Sequence, residues 1–93
     1  MIVGTLRFHL YLRSCHSLKE KRSVIKSLKE RMLNKFNVSC AETDFQDTWH
    51  EAELGVAAVG TDTRFVQSVL TEVEKFVQSD RLVEVARAEK EFF

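Results

Sequence analysis

The residues with the most chemistry in this 93-residue chain are three histidines and two cysteines. Cys15 stands directly beside His16, a pairing that invites a thiol nucleophile. Adjacent residues seldom form the hydrogen bond that activates a thiolate, and no third orienting group is evident, so Cys15 is expected to be inert. His9, His16 and His50 lack the spacing of a metal-ligand set. Two cysteines without C-x-x-C spacing indicate neither a zinc site nor a disulfide framework. Asp47 and His50 share the loop Gln46-Asp47-Thr48-Trp49-His50, but general acid–base work there needs a partner that the sequence does not supply. Structural roles are expected instead, with Asp47 capping the turn and Trp49 packing across the end of a core. No catalytic residue, metal or cofactor is expected.

Binding chemistry is better represented. Leu18 to Phe36 holds seven basic and two acidic residues, a local charge of +5. The whole chain has 14 of each, so the remainder carries −5. Lys19, Lys21 and Arg22 fall in the first turns of a helix, where the dipole disfavours cations by roughly 0.3–1 kcal/mol each. An anion held there would reverse that penalty. Lys19, Lys21, Arg22, Lys26 and Lys29 are therefore candidate phosphate-binding residues, giving sequence-independent and salt-sensitive affinity for RNA. A solvated surface stripe is the plainer alternative. On the binding view, reversing Lys21, Arg22 and Lys26 to Glu is expected to abolish binding without unfolding the chain.

The elements that must position these residues follow from periodicity. Ile2 to Leu12 alternates, with Ile2, Leu6, Phe8, Leu10 and Leu12 on one face and Val3, Thr5, Arg7, His9 and Tyr11 on the other, as in a half-buried strand. Ser17 and Glu20 form an S-x-x-E capping box for a helix from Leu18 to Phe36, with Leu18, Ile25, Leu28, Met32 and Phe36 on its apolar stripe. Asn37 suits a left-handed stop. Strands follow at Val38–Asp44 and Ala52–Gly60, and Asp62 caps a helix over Thr63–Gln78. Arg81 to Glu91 is a last strand without clean alternation. The order β-α-β-β-α-β predicts an α+β, ferredoxin-like single domain over residues 1–93. Its four-stranded antiparallel sheet carries both helices on one face, and right-handed crossovers make the first and third strands central.

That arrangement leaves one sheet face open. Arg7, His9, Tyr11 and Arg13 would lie there as a secondary contact surface, since basic residues interleaved with rings suit single-stranded RNA. The third strand has no aromatic residue, so a standard base-stacking platform is missing. Gly55, Ala57 and Val59 equally suit a homodimer contact, which gives the alternative of an interaction or small-ligand module associating through its sheet. An acylphosphatase site in this fold order would need a glycine-rich loop after the first strand, where Arg13-Ser14-Cys15-His16 stands, and an asparagine on a central strand. No run of residues is apolar enough to span a membrane, and no signal-peptide pattern opens the sequence, so a cytoplasmic location is expected.

Ser17-Leu18-Lys19-Glu20-Lys21-Arg22, Phe36-Asn37-Val38-Ser39, Ala41-Glu42, Gln46-Asp47 with Trp49, and Leu54-Gly55-Val56 together resemble the YlxP-like family of small bacterial proteins. The resemblance spans nearly the whole chain and implies a ferredoxin-like fold. It implies no catalytic residue. Members are commonly encoded near translation-initiation and ribosome-maturation factors, which implies a ribosome- or RNA-linked role by association. Lys19, Lys21, Arg22, Asp47 and Trp49 match the family pattern, which can serve fold as easily as function.

Overall fold

A computed structural model describes all residues, Met1–Phe93. Six elements run in the order β1 (Ile2–Tyr11), α1 (Leu18–Lys35), β2 (Ser39–Asp44), β3 (Glu51–Gly60), α2 (Thr63–Gln78) and β4 (Glu84–Phe92). The sheet order is β2-β3-β1-β4 with every pairing antiparallel, so β1 and β3 are central as the sequence predicts. The fold is the ferredoxin-like α+β arrangement.

Alternation along β1 and β3 builds one side of the core. Leu6, Phe8, Leu10 and Leu12 from β1 and its end meet Ala52, Leu54, Val56 and Ala58 from β3. Ile25, Leu28 and Met32 of α1 and Val66, Leu70, Val73 and Val77 of α2 cover them. Gly4 shares this inner face because α2 crosses it closely. A Cβ there would stand on Val66 Cγ1 and 3.0 Å from Leu70 Cδ1.

The helix ends depart from expectation in small ways. Ser17 Oγ accepts from the Glu20 N–H at 3.1 Å, but the Glu20 carboxylate reaches past Ser17 to the His16 N–H at 3.0 Å. The capping box therefore closes one residue early. At the other end the chain turns into extended backbone at Phe36, whose N–H donates to the Met32 carbonyl, and Asn37 is not left-handed. Asp62 caps α2 as expected, its Oδ1 2.9 Å from the Phe65 N. β4 begins at Glu84 rather than Arg81, because Leu82 and Val83 still belong to the turn, which Asp80 holds through the Leu82 N–H at 2.8 Å. At its far end β4 is tied to the start of β1 by a reciprocal pair, Val3 N–H to Phe93 O at 3.0 Å and Phe93 N–H to Val3 O at 2.8 Å. No helix is long and apolar enough to cross a membrane.

A cation stripe beside an edge strand

Burial divides the basic residues of α1. Lys21 is 1% exposed. It occupies the apolar face with Ile25, Leu28 and Met32, at the i, i+4, i+7, i+11 spacing of one helix stripe. Its Nζ donates to the carbonyls of Phe45 and Thr48, the latter at 2.6 Å, and lies 2.8 Å from Glu42 Oε2. That oxygen has no aligned donor, so the Lys21–Glu42 contact is Coulombic rather than a directed hydrogen bond. Lys21, expected among the phosphate-binding residues, is therefore shut away from any such ligand. Its ammonium is consumed inside the fold, fastening the β2–β3 loop to the first turns of α1. Burial of a charge is tolerable only with such partners.

Lys19, Arg22 and Lys26 are exposed and Lys29 is half-buried. Each residue turns a helix by about 100°, so these four fall within an arc of about 80° and span about 15 Å of axis. Arg22, Lys26 and Lys29, with Ile25, Leu33, Glu30 and Glu42, line a groove of about 350 Å³ between α1 and the edge strand β2. Lys19, at the margin of the arc, borders a separate depression with Ser14, Cys15 and Ser23. Of the 14 lysines and arginines, Arg7, Arg13, Lys21, Arg31, Lys75, Arg87 and Lys90 have a carboxylate within 4.0 Å. Lys19, Arg22, Lys26 and Lys29 are four of the remaining seven and share one surface.

The second candidate group, on the open sheet face, is engaged otherwise. Arg13 forms a bidentate pair with Glu84, at 2.9 and 3.3 Å, while its Cζ lies 5.4 Å from the Tyr11 ring centroid. The Arg13 hydrogen bond holds the Glu84 carboxyl below the usual carboxylate range, and Glu84 in turn raises the guanidinium. Arg7 stands 4.0 Å from Glu53 and 3.9 Å from Glu89. The His9 ring stacks on Phe45 at 5.2 Å, with Nε2 shut from solvent and without a partner. Cross-strand register adds Glu51, Glu53, Glu84, Glu89 and Glu91 to the same face against Arg7, Arg13 and Arg87. That face is therefore net acidic. A trough of about 550 Å³ runs across it, floored by small residues such as Gly55 and Ala57.

The β2–β3 loop is more ordered than its polar sequence predicts. Phe45 adopts φ 64°, the only non-glycine residue with positive φ. Asp44 Oδ1 takes the Phe45 N–H at 2.7 Å, and Thr48 N–H donates to Phe45 O at 3.0 Å. Asp47 makes none of these bonds and is exposed, so the cap expected at Asp47 is made by Asp44. Trp49 does not close the core; it is 41% exposed. Cys15 and Cys40 are free thiols whose pKa values burial pushes up.

A ferredoxin-like α+β fold defines the structural class of this protein. Residues 3–90 match the family described as "Protein of unknown function (DUF503)". The chain is also 35% identical over 86 residues to the "Uncharacterized protein YlxP" of Bacillus subtilis (strain 168), covering 88% of this chain and 94% of that one. It belongs to this YlxP-like DUF503 family.

Proposed function

We propose that this protein is a non-catalytic RNA-binding protein that holds a phosphate backbone on Lys19, Arg22, Lys26 and Lys29, with ribosomal RNA a natural target. The observation that carries this reading is the clustering of cations without carboxylate partners on one arc of α1. The one acid in the first turn of α1, Glu20, is taken up by the His16 N–H, and the four cations make none of the i, i+4 ion pairs that a helix stabilised for its own sake would give them. Phosphates supply the missing counter-charge. The acidic sheet face argues for a single contact surface on the helix side, with Arg7, His9, Tyr11 and Arg13 outside it.

Binding of labelled ribosomal RNA, followed across a salt series, tests this. Four neutralised phosphates give a log–log salt slope of about −3 on a single strand, at roughly −0.7 each. The informative variant is Arg22→Glu/Lys26→Glu/Lys29→Glu. Lys21 is left intact because reversing it would place a carboxylate beside Glu42 and two carbonyls. Loss of binding in a folded variant supports the reading; unchanged binding overturns it.

A second reading rests on the trough in the open face, where both charge signs flank Gly55 and Ala57. There two copies could associate through their sheets. Sedimentation showing only monomer at high micromolar concentration would exclude it.

A further inference from the structure

The feature that the cation stripe leaves unexplained is Trp49. A large ring at 41% exposure adds little to the core, yet the loop carrying it is pinned on both sides. Lys21 holds the Thr48 carbonyl at 2.6 Å, and the Leu12 N–H holds the His50 carbonyl at 2.9 Å. The imidazoles of His16 and His50 stand 6.4 and 6.3 Å from the indole at 69° and 75°, so neither lies flat on it. A rigidly presented aromatic ring is the kind of residue that dominates interfaces. Its position is also informative. His16 directly precedes the Ser17 cap, so its contact places the indole at the N-terminal end of α1, the end at which Lys19 and Arg22 stand.

We propose that Trp49 stacks an unpaired RNA base while Lys19, Arg22, Lys26 and Lys29 hold the adjoining phosphates. This inference rests on the RNA-binding reading above and narrows its ligand. Cations alone accept any backbone, duplex or single-stranded. An indole exposed at the same end of the helix would select a nucleotide that is free to leave its stack, as in a single strand, loop or bulge. The sheet cannot serve this purpose, because His9 is already stacked on Phe45 and Tyr11 lies under Arg13.

The chain's only tryptophan is its own reporter. Wild type, Trp49→Ala, Trp49→Phe and the triple charge reversal would be titrated with a labelled 12-nucleotide single-stranded RNA and with its perfect duplex. Anisotropy reports binding and intrinsic fluorescence reports stacking. The single strand is expected to quench Trp49. Trp49→Ala should weaken single-strand binding about tenfold and leave duplex binding unchanged, with partial recovery in Trp49→Phe. Equal single-strand affinity for Trp49→Ala and wild type, with binding still lost in the charge reversal, overturns the stacking and leaves the helix reading standing. Absence of wild-type binding to either RNA at low salt overturns both.

Discussion

Lys21 shows how one side chain can be charged and structural at once. Removing its ammonium leaves the Glu42 carboxylate without its counter-charge and takes a donor from the Thr48 and Phe45 carbonyls, of which Phe45 keeps the Thr48 N–H. Lys21→Met is expected to cost about 3 kcal/mol in urea unfolding. Lys26→Met, on the exposed side of the same helix, should stay within about 0.5 kcal/mol. The contrast would establish which basic residues of α1 belong to the fold. Burial favours the neutral form of the two thiols. A thiol pKa raised in the folded chain gives stability that is complete below the unfolded thiol pKa and declines as pH rises through the folded one. Unfolding midpoints should therefore hold near neutrality and fall above about pH 8.5. Cys15→Ala/Cys40→Ala should flatten that alkaline decline. A decline of the same size in the double variant would assign it elsewhere.

Among the elements, α2 is the most tightly specified. Gly4 on β1 and Gly60 at the end of β3 both lie beneath its first turns, where an added Cβ at Gly60 would stand 2.8 Å from Val66 Cγ2. Gly4→Ala should lower stability by about 1–3 kcal/mol, since Val66 is buried and branched and has little room to yield. Thermal denaturation would measure it. Glycine at position 4 interrupts the apolar run of β1, and its cause lies in a helix more than 60 residues away, so local periodicity does not reveal it. Where neighbours in sequence decide, the elements were legible: the Ser17 and Asp62 caps, the Leu28 and Val73 stripes, and the β1 alternation all stand in the structure. Lys21 was misplaced because its charge outweighed its position, although 21, 25, 28 and 32 share one helical face. Glu42, the partner that makes its burial possible, is 21 residues away in sequence. The exposure of Trp49 likewise depends on how Lys21 and Leu12 fasten its loop, which no window of sequence contains.

At the scale of the molecule, charge is sorted by face. The chain is neutral overall, yet its unpaired cations concentrate on α1 and its carboxylates crowd the open sheet. On the RNA-binding proposal, such an arrangement would orient the protein on a polyanion before any close contact forms, with salt weakening that attraction over about 10 Å. The reciprocal bonds between Val3 and Phe93 carry a different consequence. β1 and β4 are antiparallel neighbours, so the two ends of the chain leave the sheet side by side at one pole. A force applied between those ends would load the ladder one rung at a time, beginning with Val3–Phe93, rather than shear all rungs together. In an optical trap the protein should therefore unzip at low force, however stable it is to heat or urea. Pulling instead from Val3 and a residue near Glu84 would load the β1–β4 ladder in shear and should require distinctly more.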